Sequence, residues 1–168
     1  MLGDFNANTG VGDNSKVGQM RKWNHQANTN FFEGQCNALS GSAGEFFPPG
    51  ITKNQTLELF SPEMCRSVLL DFEEERDIYG VKTLKFSGGD RTVDNGTLYP
   101  ENECYCGGEC VPSGLFNVSS CRFGTPVFMS FPHFYNADPF YHEQVDGMKP
   151  NKDKHQFSIS FEPVRNFS

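Results

Sequence analysis

The sequence predicts a mainly β fold with short helices (α+β), its long connections held by disulfides. Three observations carry that expectation. Seventeen Phe against one Trp, with seventeen Gly and ten Pro in 168 residues, suit short strands broken by many turns rather than a helix bundle. Apolar residues alternate with polar ones at residues 65–73, 81–86, 126–133 and 155–162, the period of a half-buried strand. The cysteines number six, and an even count suggests a disulfide framework formed in an oxidising compartment.

Residues 1–35 are rich in Asn and Gly and read as turns with one or two edge strands, residues 16–23 being the better candidate. Gly3-Asp4-Phe5-Asn6-Ala7 copies a signature of metal-dependent endonucleases and phosphodiesterases, in which the Asp and Asn hold phosphate and metal at the end of a core strand. That chemistry also needs further carboxylates and a late His–Asp pair. No apolar strand precedes the motif and no such ending follows it. The residues therefore read as a polar turn leading into Asn8-Thr9-Gly10.

In residues 35–50, small residues form a loop, Phe46-Phe47 plugs an apolar site and Pro48-Pro49 stiffens the exit. Leu57, Leu59 and Phe60 make a short strand, and Ser61-Pro62-Glu63 looks like a helix start, with Ser as cap and Pro in the first position. Val68, Leu70 and Phe72 define the strand that begins at Cys65. Glu73 to Asp77 (EEERD) reads as a polar turn or charged edge, and Tyr79-Gly80 joins this strand to residues 81–86 as a hairpin. Asp71 and the EEERD run lack the D-x-D-x-D-G spacing of a calcium loop and hold Arg76 among the acids, so they read as solvated.

Residues 87–102 form a long surface loop rich in Gly, Asp and Asn. Pro112-Ser113-Gly114 is a turn before residues 115–118. In residues 126–133, Val127, Met129 and Phe131 share one face and Phe128 and Ser130 the other. A turn at 149–154 precedes the last strand, where Phe157, Ile159 and Phe161 are expected to be buried together. His25, His133, His142 and His155 are too dispersed to argue a metal site, and His133 reads as a buried, hydrogen-bonded core residue.

Length and charge set further bounds. A chain of 168 residues can bury a real core as one domain. Its net charge of −7 argues against nucleic acid, which would need a basic stripe. Runs of about 18 apolar residues are missing, and so is a charged-then-apolar leader. Disulfides without a leader suggest an internal piece of a longer secreted or membrane-anchored protein. Such a piece, spanning residues 1–168, is expected to expose apolar strand edges and aggregate when isolated. No G-x-S-x-G elbow, glycine-rich phosphate loop or H-E-x-x-H is present, and paired cysteines make poor nucleophiles, so no enzyme and no cofactor is expected.

Cys104, Cys106 and Cys110 crowd into residues 103–110, while Cys36, Cys65 and Cys121 stand alone. Cys104 and Cys106 are poor partners for each other, since residues two apart on an extended chain point the same way. Gly107 and Gly108 permit a tight ring between Cys106 and Cys110. Cys104 is then left to reach Cys36, Cys65 or Cys121. A zinc site built on Cys104, Cys106, Cys110 and Cys121 fits poorly, because C-x-C-x3-C is not the usual paired knuckle and two thiols would remain over. Four N-x-S/T sequons, at Asn54, Asn95, Asn117 and Asn166, are candidate glycosylation sites in a secreted chain.

Several blocks taken together resemble the ectodomain of the class B scavenger receptors. They are Cys36-Asn37 with Gly41, Phe47-Pro48-Pro49, Phe60-Ser61 and Cys65-Arg66-Ser67, then Asn102-Glu103-Cys104-Tyr105-Cys106 and Gly114-Leu115-Phe116-Asn117-Val118-Ser119. Met129-Ser130-Phe131-Pro132-His133-Phe134-Tyr135 and Gly147-Met148-Lys149-Pro150-Asn151, leading to His155 and Glu162-Pro163, continue the likeness. Asp94-Asn95-Gly96 with Tyr99-Pro100-Glu101 is similar to the insect, croquemort-like branch. Asn8-Thr9-Gly10 and Trp23-Asn24 also match the family, which weakens the nuclease reading of residues 3–7. The resemblance covers residues 8–163 in family order.

The resemblance implies disulfides Cys36–Cys104, Cys65–Cys121 and Cys106–Cys110. The first would close a loop of roughly 70 residues, a constraint on the order of 4 kcal/mol. It also implies part of an antiparallel β-barrel-like ectodomain, anchored by a membrane helix at each end and carrying an apolar tunnel. The expected function is a cell-surface receptor that binds and takes up lipids, lipoproteins, apoptotic cells or microbial surfaces. Sensory lipid or pheromone receptors and lysosomal sorting receptors share the same framework. No metal, cofactor or individual ligand-binding residue is implied.

Overall fold

A computed structural model describes residues 3–163. In chain order its elements are β1 (Phe5–Ala7), β2 (Met20–Trp23), β3 (Leu57–Ser61), β4 (Arg66–Ile78), β5 (Val81–Ser87), α1 (Asp90–Val93), β6 (Leu115–Asn117), β7 (Phe128–Ser130), α2 (Pro139–Gln144), α3 (Lys152–His155) and β8 (Ser158–Phe161), with short 3-10 turns between. The architecture is mainly β with short helices, as the composition and alternation predict. The central sheet has the order β3-β4-β5-β8 and is antiparallel throughout. β1 pairs with β2 and β6 with β7 in two small ribbons.

The β4–β5 hairpin turns at Tyr79-Gly80, where both residues have positive φ, 52° and 85°. That is the mirror-image turn whose twist matches the flanking strands. β4 does not end at the acidic run. Glu73 to Asp77 is strand, not a polar turn, because the run is matched across the ladder: Glu74 lies opposite Lys85 and Asp77 opposite Lys82, opposite-charge pairings that stabilise a two-stranded ribbon. Arg76 also reaches Glu74 at 2.7 Å. Buried Lys85 is held by Glu73 at 2.9 Å and by the side chain of Gln156 at 2.7 Å.

Other expectations are corrected. No helix starts at Ser61. Ser61 pairs with Arg66 across the β3–β4 hairpin, so the chain reverses in four residues; the Ser61 hydroxyl accepts the Met64 N–H inside that turn, and Cys65 closes it at φ 57°. Phe5-Asn6-Ala7 forms a strand against Met20–Trp23 instead of a polar turn, while Lys16 lies in a 3-10 turn, outside that strand. Residues 87–102 are not a simple surface loop, since Thr92, Val93, Asp94 and Asn102 are buried. The 126–133 strand shrinks to Phe128–Ser130, because Pro132 opens a 3-10 turn and His133 takes a left-handed conformation. The segment near 152 is one turn of helix capped by the Asn151 side chain.

Three apolar clusters organise the packing. Met20, Trp23, Phe32, Phe60, Cys36 and Cys65 form one. Ile51, Leu57, Leu70, Leu84 and Phe86 form the second, against which Phe47, Ile159 and Phe161 pack. Val93, Phe116, Val118 and Phe131 form the third. Of the expected plug, Phe47 is packed edge-on to Phe161 at 4.8 Å, but Phe46 is 64% exposed. Phe157 likewise leaves its strand companions and is 39% exposed.

Candidate functional site

The two displaced phenylalanines point to the most prominent feature of the surface. A cavity of about 760 Å3 is lined by Phe46 and Phe157 together with Phe5 of β1, Leu59 and Phe60 of β3, Val68 of β4, Phe116 of β6, Met129 of β7 and Phe131. Strand periodicity places these groups there. Leu59 and Phe60 are neighbours on β3: Phe60 sits in the first core cluster, while Leu59 is left half-buried at the margin of the second. Polar groups are few: Ser42, Ser61, Ser130 and Thr92 contribute hydroxyls, and Glu45, Glu63, Lys154, His155 and Gln156 contribute the charged or amide ends. A second recess of about 680 Å3, bordered by the same Glu45 and Phe46, is walled by Phe47, Pro48, Pro49, Ile51 and Phe161. The chemistry on offer is burial of an apolar chain, with polar groups able to hold a head.

His133 is not a core residue. It is exposed and stacks on His155, ring centroids 4.3 Å apart and planes 12° from parallel. The residue is displaced because the Pro132 turn swings it out of the strand line. His155 lies at the cavity wall, and desolvation, then the His133 ring and Lys154, press its pKa below the ordinary histidine value.

The cysteine strip lies apart in chemistry. Disulfides join Cys36 to Cys104, Cys65 to Cys121 and Cys106 to Cys110. Between them the buried carboxylate of Asp94 accepts the backbone N–H groups of Gly96, Leu98 and Tyr99 and the Ser113 hydroxyl. Burial alone would raise the Asp94 pKa, but those donors outweigh it and hold the group below the ordinary carboxyl range. The Asn102 amide donates to the carbonyls of Arg91 and Asp94. Arg66, buried beside this strip, lays its guanidinium 3.4 Å above the Tyr105 ring, and burial lowers its pKa to about 10.

The sequons fall in different settings. Asn54 sits in an exposed turn. Asn95 and Asn117 are half-buried, and their amides donate to the carbonyls of Val111 and Cys106. Asn166 lies outside the described residues. Asp4, the acid of the nuclease-like motif, is exposed with His25 3.7 Å away. Among the described residues no group of three His, Cys, Asp or Glu is placed to hold a metal ion. No helix there is long and apolar enough to cross a membrane.

Sequence reasoning did not find the burial of Arg66, the His133–His155 stack or the residues that line the cavity. Positive charge inside an alternating strand was the signal for Arg66. The other two depend on residues brought together from remote positions, and periodicity carries no trace of them.

A disulfide-stapled, mainly β structure is what the quoted blocks implied, and comparison with known proteins agrees on the family. Residues 2–167 match the CD36 family model, and the chain belongs to that family. It is 48% identical over 162 residues to Protein peste of Drosophila melanogaster, covering 96% of this chain and 29% of that protein. It is 43% identical over 163 residues to rat Scavenger receptor class B member 1, covering 96% and 32%. Human Lysosome membrane protein 2 is 31% identical over 163 residues, covering 96% and 34%. The chain thus spans about a third of the length of the curated relatives it matches.

Proposed function

We propose that the complete protein is a cell-surface scavenger receptor that binds and takes up lipids, lipoproteins or apoptotic cells, and that this chain supplies part of the wall of its lipid conduit. The apolar cavity carries the reading. Its volume of about 760 Å3 falls in the range of small-molecule sites. An acyl chain entering it gains about 0.8 kcal/mol for each buried CH2. The likeness to Scavenger receptor class B member 1 supports a receptor at the plasma membrane. The likeness to Lysosome membrane protein 2 supports a second placement, in the lysosomal membrane. On either placement residues 1–168 are one part of an ectodomain whose membrane helices lie elsewhere in the protein. Of the sequons at Asn54, Asn95, Asn117 and Asn166, Asn54 in its exposed turn is the one best placed to carry a sugar.

Met129 lies on the cavity wall and is 36% exposed, so it can be replaced with little damage to the core. In the full-length receptor, Met129→Arg is expected to cut uptake of a fluorescent fatty acid several-fold while surface expression stays normal. Unchanged uptake at normal surface expression would refute the conduit.

A further inference from the structure

The His133–His155 stack lies outside the disulfide framework, at the edge of the apolar cavity. Each ring also accepts a backbone N–H through Nδ1: His133 from Lys149 at 3.3 Å, and His155 from Asn151 at 3.0 Å. Each of these hydrogen bonds requires a ring nitrogen that carries no proton. The two hydrogen bonds and the stack together clamp the segment that leads into α3, and the last residues of that region, Lys154, His155 and Gln156, line the cavity. The clamp also holds strain. His133 and Phe134 are consecutive non-glycine residues at φ 55° and 54°, a conformation that persists only where surrounding contacts enforce it.

We propose that the His133–His155 stack is an acid-operated latch: neutral, it holds residues 147–156 against the cavity wall, and protonated, it lets them go. A proton on either Nδ1 sets donor against donor and abolishes that backbone hydrogen bond. A proton on both rings places two cations face to face. The charged groups around the pair are of both signs, Glu45 lining the same cavity as His155. Lys154 on α3 opposes a charge on His155. Lys152 on the same helix is held by Glu73 at 2.6 Å and anchors the helix to β4, Asp153 is exposed, and Lys149 meets His133 through its backbone. Glu63, which lines the same cavity, is the carboxylate from the β3–β4 turn.

The sign follows from linkage. The released segment binds protons at the ordinary histidine value of about 6.5, whereas in the latched form desolvation, the His133 ring and Lys154 hold His155 below it. The latched form is therefore favoured above that pH and weakens as pH falls below it. The Lys152–Glu73 pair does not titrate in that window, and with the Lys85–Gln156 hydrogen bond it would remain as the pivot.

Backbone hydrogen exchange in the full-length receptor in lipid nanodiscs tests the latch without reference to any ligand. Between about pH 7.5 and 5.5, and after correction for intrinsic exchange, peptides covering 147–156 should lose at least tenfold in protection. The double variant His133→Phe/His155→Phe, whose rings stack but cannot titrate, should show no such loss. Unchanged protection of the natural receptor between the two pH values would overturn the latch, and so would an equal loss in the double variant. If that variant does not reach the membrane, the natural receptor's pH dependence decides alone.

Discussion

The central sheet and the cysteine strip solve the same problem by different means. The sheet is held by buried apolar groups in matched register: Leu70 and Phe86 are wholly buried, and β4 and β5 are adjacent in sequence and joined by a two-residue turn. The strip around residues 94–121 has little regular structure. It relies on covalent cross-links to distant parts of the chain, and on carboxylate and amide side chains that satisfy backbone groups locally. The difference teaches that an irregular segment can be ordered around a small apolar cluster, here Phe116 and Val118, provided its loop entropy is reduced and its buried polar groups are paired.

The sharpest way to break the comparison is to remove the long cross-link. Replacing Cys36 and Cys104 together by Ser reopens a loop of sequence separation 68 and should cost roughly 4 kcal/mol. The same change at Cys106 and Cys110, separation 4, should cost about 2 kcal/mol. Apparent melting temperature and surface level of the full-length receptor should rank the two pairs in that order. Equal effects would mean that the strip does not depend on long-range closure.

The matching change in the sheet is Leu70→Ala. Truncating a wholly buried leucine should cost about 3 kcal/mol. Its damage should appear as lost hydrogen-exchange protection across β3, β4 and β5, leaving the Asp94 region protected. Loss of protection in both regions at once would show a single cooperative unit and erase the distinction drawn here.

Asp94 separates the regions by pH. Its carboxylate accepts from three backbone N–H groups, so Asp94→Ala should cost about 2 kcal/mol. Because the folded pKa is lowered, the stabilisation is complete above the ordinary carboxyl value of about 3.9 and is lost as pH falls through the lower folded value. The strip should therefore stay closed at the mildly acidic pH at which the histidine stack opens. Exchange measured at residues 94–99 and 147–156 in one titration distinguishes the two events.

This contrast also explains what could be read from the sequence. Val68, Leu70 and Phe72 revealed β4 because one buried face imposes a period of two. The outer half of β4 was hidden because both of its faces are polar, and its partners Lys82 and Lys85 become informative only once the register is known. The burial of Asp94 and Asn102 had no periodic signature at all, since what orders them is hydrogen bonding to nearby backbone. The family likeness carried the cysteine pairing that spacing left open. The cavity lay furthest from reach: Phe46 and Phe157 look like core residues in sequence, and only the positions of β1, β3 and β7 around them show that they border a recess.

The smallest expected effect tests how far the sheet's hairpin is optimised by its own local sequence. Tyr79 is fully exposed and sits at φ 52°, so it contributes no packing here to offset the strain of a left-handed conformation. Asn tolerates that conformation far better, and Asn-Gly is the favoured pair for this turn. Tyr79→Asn should thus raise stability by up to about 1 kcal/mol, seen as a small rise in apparent melting temperature with lipid uptake unchanged. A fall in stability would mean that the Tyr79 ring is buried by another part of the full receptor, and that this end of the sheet, like the strip, depends on distant chain.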